Sequence, residues 1–257
     1  MADQSPTISR DLFKNIIATN EVGSLALAYV LSHAGTANSG YSVGAFQLDF
    51  AQQSDARSTA EDFLSQSGAF SGDEMATISQ GFVTKGNPDA IHAALKESVN
   101  TQFSTDAGKA MIDGLDAEQL DVLMGNIASA QASAQANPRY ANDAAFKAFS
   151  DGDLFQALIG DNANQYGPPN TFGRYIQCET VTNGGDSLQL GDNHWDFAAF
   201  AAYEAHYKYV HASEQGASDM RRRRTNVVNI LTTDGVLTAE EQTADLAIIQ
   251  STYQATG

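Results

Sequence analysis

The sequence has a single cysteine, Cys178, in 257 residues. That excludes an intrachain disulfide and any cysteine-built structural zinc site. Basic residues are scarce too: 14 Lys and Arg stand against 31 Asp and Glu, for a formal charge of −17. Such a surface repels phosphate backbones and anionic lipid, so nucleic acid is not an expected partner. No run approaches the ~18 to 20 consecutive apolar residues of a membrane span. The start MADQSPTISRD lacks both the basic region and the apolar region of an export leader. Metal-ligand spacing is missing as well. His206 and His211 are off the i, i+4 spacing that puts two ligands on one helical face, and the half calcium loop at Asp234-Gly235 has Ile230 and Thr232 where earlier ligands belong. No metal or cofactor is expected.

What is present is a hydrophobic content of 42%, enough for one sizeable core or a core with a smaller lobe. Phe13, Ile16, Ile17 and Glu21 recur at three and four, so they share one helical face with Glu21 at the end of an apolar stripe. The Leu- and Ala-rich stretch 24–35 reads as a second helix. From 36 to 53 the helical period gives way to Gly, Asn and Ser, the composition of a loop or short hairpin. Stretches 60–68, 73–82, 88–99, 105–115 and 117–134 alternate helical patterns with glycine punctuation. Two Gly-, Asn- and Asp-rich stretches, 160–173 and 181–194, read as loops. Beyond them Phe197, Phe200, Tyr203 and Tyr207 mark an aromatic helix, and Thr238-Ala-Glu-Glu241 has the form of a capping box. The expected organisation is a mostly α domain over 1–180 with a helical extension over 181–257 packed on it. The four arginines Arg221 to Arg224 read as a solvated helix start paired with neighbouring acids.

The stretch Gly40-Tyr-Ser-Val-Gly-Ala-Phe-Gln-Leu-Asp-Phe50 supports two chemistries. Its first five residues fit G-x-S-x-G, the turn that exposes the serine of a hydrolase. That turn needs a buried strand entering it and a helix leaving it, whereas the polar stretch 32–39 precedes Ser42, and no strand-helix alternation follows.

The second half reads differently. Gly44-Ala-Phe-Gln-Leu-Asp49 resembles the glycine, apolar pair, glutamine, apolar, aspartate motif of goose-type lysozymes, and its Gly-to-Gln part is similar to lytic transglycosylases. Glu21-Val-Gly-Ser24 resembles the segment that carries their catalytic glutamate, and Asp49 follows Glu21 by 49 minus 21, or 28, positions, close to the family arrangement. The stretch Asn164-Gln-Tyr-Gly-Pro-Pro-Asn-Thr-Phe-Gly-Arg-Tyr-Ile176 is similar to their Tyr-Asn-Ala-Gly segment at Tyr166, with Gly167 in place of the asparagine. The aspartate that goose-type enzymes carry between the glutamate and the glycine motif is missing from 35–39.

This resemblance implies a lysozyme-like helical fold, with the GYSVGAFQLD stretch on a loop or small β-hairpin, and a muramidase acting on the glycan strand of bacterial peptidoglycan. It implies Glu21 as general acid and Asp49 as the second catalytic carboxylate. Tyr41, Ser42, Gln47 and Tyr166 are the expected substrate contacts. The chemistry agrees, because a glycosidic oxygen is a poor leaving group and needs a proton from a carboxyl that an apolar setting keeps protonated. The stripe ending at Glu21 supplies such a setting. The alternatives are a lytic transglycosylase or chitosanase of the same fold, Gly40-Tyr-Ser-Val-Gly44 being similar to a chitosanase motif; a serine hydrolase using Ser42; and a non-catalytic wall-binding protein. A peptidoglycan enzyme without an export leader acts in the periplasm or wall after delivery by a secretion machine or by phage lysis. Delivery machinery and an immunity protein are then its expected partners.

Overall fold

The computed structural model describes residues 6–34, 36–191 and 194–254. Residues 1–5 of the leader reading, Gly35 at the end of the expected second helix, and Asp192 and Asn193 of the second expected loop lie outside the described residues. The chain is mostly helical, and no described helix is long and apolar enough to cross a membrane. It divides into two compact units: Ile17–Asp121, and the described residues of Met1–Ile16 with Val122–Gly257. The divisions fall inside α1 (Arg10–Val22) and α5 (Asp106–Gln135). The stretch around Val181, expected as a boundary, lies within the second unit.

In the first unit, the last turns of α1 lead through Gly23, at φ 88°, into an extended Ser24 and a 3-10 turn, Leu25–Tyr29. Only glycine adopts that φ without steric cost, so the helix stops at Val22. The helix expected over 24–35 therefore does not form. Ala28 and Leu31 are buried while Leu27 and Val30 are exposed; a single apolar pair spaced by three suits a 3-10 turn and leaves an α-helix no face to bury. A small antiparallel sheet follows, β1 (Ser32–His33), β2 (Tyr41–Val43) and β3 (Leu48–Asp49), in that spatial order. It places the GYSVGAFQLD stretch on a β-hairpin.

Three short helices and the start of α5 complete this unit: α2 (Ser54–Gln66), α3 (Gly72–Val83) and α4 (Ala93–Phe103). A full capping box at Ser71 and Glu74 opens α3, satisfying two backbone donors that a helix start leaves open. Phe50 from the hairpin packs on Phe82 of α3 with ring centroids 4.6 Å apart, and Val99, Phe103 and Ile112 are fully buried. Apolar burial of this kind contributes about 1.5 to 3 kcal/mol per large side chain. The expected helices 105–115 and 117–134 fuse into the single α5. Gly114 does not interrupt it, since an interior glycine costs only about 1 kcal/mol relative to alanine.

The second unit contains α6 (Ala144–Asp151), α7 (Asp153–Tyr166), α8 (Asn170–Ile176), a hairpin of β4 (Val181–Asn183) and β5 (Asp186–Leu188), α9 (Phe197–Ala205), α10 (Lys208–His211), α11 (Glu214–Thr233) and α12 (Ala239–Thr252). Its core is aromatic: Phe155, Phe172, Trp195 and Phe200 pack together, and the Trp195 indole donates to Ser150 Oγ at 3.0 Å. The capping box at Thr238 and Glu241 opens α12 as its sequence predicts. The expected loop 160–173 is instead the second half of α7 and most of α8. Asp161 and Asn162 are buried there, Asp161 paired with Arg223 and Arg224, and Asn162 donating to Glu204 at 2.7 Å. Tertiary partners thus override the weak helix preference of Asp and Asn.

The arginine run departs from its sequence reading in the same way. Arg221 and Arg222 sit near the surface, paired with Glu214 and Asp219. Arg223 and Arg224 are buried against Asp161 and Glu204. Desolvation alone would pull the Arg224 guanidinium down; Glu204 and Asp161 more than reverse this and hold it above its ordinary value.

Candidate active site

Glu21 projects from the last turn of α1, partly buried, at the end of the stripe in which Phe13, Ile16 and Ile17 are fully buried. Four of the six expected site residues, Glu21, Ser42, Gln47 and Asp49, line one open cleft of about 640 Å³ in the first unit. Sheet register explains part of this. Ser32 pairs with Ser42, and Ser42 with Asp49, so three polar side chains run across the strands on the cleft side while Tyr41, Val43 and Leu48 are buried. Leu27, Val30 and Val22 give the cleft an apolar side. Among the described lining residues none is Lys or Arg.

Each predicted residue has a definite place. Gln47 holds φ 54°, a left-handed conformation that costs a non-glycine residue about 1 to 2 kcal/mol. Its Oε1 accepts from Ser32 Oγ at 2.8 Å, and its buried Nε2 has no hydrogen-bond partner among the described residues. A buried amide N–H without a partner costs about 1 to 3 kcal/mol. Asp49 accepts Ser39 Oγ at 3.0 Å, the Gly40 N–H at 3.2 Å on each oxygen, and the Ala51 N–H at 2.8 Å. It does not cap α2, whose N-cap is Gln53; it ties loop 39–40 to the end of β3.

Ser42 is 4% exposed and sits inside β2 between two antiparallel neighbours. Its backbone is that of a strand interior rather than the strand-to-helix turn of a serine hydrolase.

Two expected contacts are not among the described residues that line this cleft. Tyr41 is fully buried, its hydroxyl donating to the Pro88 carbonyl at 2.5 Å and its ring edge-on to His33. A ring without an accessible face cannot stack on a sugar, and Tyr41 belongs to the core. Tyr166 is in the second unit, 39% exposed, stacked on Tyr207 at 4.4 Å, and it lines a pocket of about 180 Å³ within that unit. Burial, with the Glu204 charge adding to it, lifts its phenol to about 12, so Tyr166 stays a hydrogen-bond donor at neutral pH.

Sequence reasoning missed Ser32 and His33, both in the cleft lining. Their stretch reads as helix by its Leu and Ala neighbours; the signal that would have found them is Gly23, which ends α1 and forces the chain to turn. Comparison of the chain with protein-family models, with curated proteins and with solved structures gives no match.

Proposed function

We propose that the protein is a glycosidase cleaving the glycan strand of bacterial peptidoglycan, with Glu21 as the general acid. The observation that carries this reading is the convergence of Glu21, Gln47 and Asp49 on one cleft. The cleft offers a carboxyl and an apolar wall, and just behind its lining the Gln47 Nε2 is buried with no hydrogen-bond partner among the described residues. An N-acetyl carbonyl on the sugar is an acceptor that this donor would take once the Gln47 side chain turns toward the cleft. In the reaction Glu21 gives its proton to the glycosidic oxygen as the bond to the anomeric carbon breaks. The carboxylate so formed takes a proton from the incoming nucleophile. If that nucleophile is water, the products are reducing muramic acid ends and the enzyme is a muramidase.

The surroundings of Asp49 favour a second outcome. Three donors occupy both of its oxygens, close to the roughly four acceptor sites a carboxylate has, which suits an anchor better than a base for water. Glu21 working alone would let the muramic acid 6-hydroxyl close on the anomeric carbon, the course of a lytic transglycosylase. Mass spectrometry of digested peptidoglycan separates the two, because ring closure gives products lighter by one water and without a reducing end. A cleft with no Lys or Arg among its described lining residues also suits a cationic glycan. Release of oligosaccharides from chitosan, with none from peptidoglycan, would move the assignment to a chitosanase. Release from neither glycan by a folded protein would leave the wall-binding reading.

A further inference from the structure

One carboxylate outside the cleft is tied to it by geometry. Asp116 lies on α5 and is 0% exposed, an expensive place for a charge unless it is tightly used. Its Oδ2 accepts the backbone N–H of Ala45 at 3.1 Å, in the turn that joins β2 to β3. Gly44, at φ 87°, is pressed against the same carboxylate: a Cβ there would stand 2.4 Å from Asp116 Oδ1. On its other side the Gly44 N–H donates to the Ala28 carbonyl at 2.8 Å. The turn is therefore held between α5 and the 3-10 segment, and it closes when the Gln47 N–H returns to the Gly44 carbonyl at 3.2 Å. Gln47, in its left-handed conformation, is the residue that this turn delivers to the cleft.

We infer that Asp116 is a positioning residue for the glycan site, fixing the Gly44–Gln47 turn and through it the Gln47 amide. The inference rests on the glycosidase reading for its kinetic consequence but not for its structural one. The Ala45 hydrogen bond and the close approach of Gly44 hold the turn against α5, so Asp116 can keep Gln47 in a backbone conformation that the residue does not prefer. Asp116 itself touches no substrate. Its loss should loosen substrate binding and leave proton delivery by Glu21 largely intact.

The test uses the full chain with Asp116→Ala, Asp116→Asn and Gln47→Ala, alone and with Asp116→Ala combined with Gln47→Ala. Amide hydrogen exchange is followed at Ala45 and Gln47, and kcat and KM are measured on solubilised peptidoglycan strands. Asp116→Ala should speed exchange at Ala45 and Gln47 while the interior amides of α5 stay protected. KM should rise by about tenfold, the effect of one lost orienting hydrogen bond, with kcat nearly unchanged. Asp116→Asn, which keeps one acceptor oxygen, should recover part of both effects, and it serves as the probe if the alanine variant does not fold. In the Gln47→Ala background Asp116→Ala should add little to KM. Unchanged exchange at Ala45 and Gln47 in the asparagine and alanine variants would overturn the inference, as would KM effects that simply add in the double variant. Faster exchange in a protein whose unsubstituted form cleaves no glycan would sink the glycosidase reading and leave the positioning role standing.

Discussion

The backbone N–H of Gly40 is shared between the two carboxylate oxygens of Asp49, 3.2 Å from each. An amide cannot reproduce this, because one of its two polar atoms is itself a donor. Asp49→Asn should therefore lower unfolding stability by about 0.5 to 1.5 kcal/mol, the contribution of one part-buried hydrogen bond. Urea titration measures that loss. Turnover per folded molecule should fall far less than in Glu21→Gln; equal loss in the two variants would make Asp49 the base for water and the enzyme a hydrolase with two working carboxylates.

Glu21→Gln isolates proton delivery. The side chain is partly buried at the end of α1, and its replacement is nearly isosteric, so circular dichroism should be unchanged. Turnover should drop by at least about 10²-fold, the lower range for a lost general acid. Wall lysis at the original rate by this variant would remove Glu21 from the reaction.

Ser42→Ala should keep most of the activity, since the hydroxyl sits within a strand and not on a nucleophile turn. A serine-directed phosphonate should leave the protein unlabelled. Covalent modification at Ser42 would restore the hydrolase reading of the G-x-S-x-G stretch.

A pH effect on stability is expected in the second unit. Burial, reinforced by the Glu241 and Asp196 charges, raises the Asp245 carboxyl to about 6, above the ~3.9 of an unfolded aspartate. The native state therefore holds this proton more tightly than the unfolded chain does. The resulting stabilisation is complete below about pH 4 and is lost as the pH rises through about 6. Asp245→Asn should stabilise the protein at pH 7.5 by on the order of 1 kcal/mol and change little at pH 4. Thermal melts at the two values check the sign; equal shifts at both would contradict it.

Much of the candidate site was legible in the sequence because it depends on local pattern. The spacing from Phe13 to Glu21 carries a helical face, and the composition of 36–53 carries a hairpin. What was not legible depends on partners distant in the chain. Tyr41 reads as a cleft aromatic until the Pro88 carbonyl and the His33 ring are seen to enclose it. The stretch 160–166 reads as a loop because nothing local reveals that Asp161 will meet two arginines from α11. Asp116 gives no sign of its use, since the atoms that explain it are the backbone of Gly44 and Ala45.

The adjacent buried arginines of α11 carry a consequence for how this unit assembles. Hydrophobic side chains tolerate a slightly rotated helix, because one apolar contact substitutes for another. Arg223 and Arg224 do not, since Asp161 and Glu204 meet them at fixed bearings. A helix seated one residue out of phase would strand a guanidinium in the core, a penalty of about 3 to 5 kcal/mol for a broken buried pair. The cluster thus acts as a key for the azimuth of α11, admitting a single rotation among the several that greasy packing alone would accept.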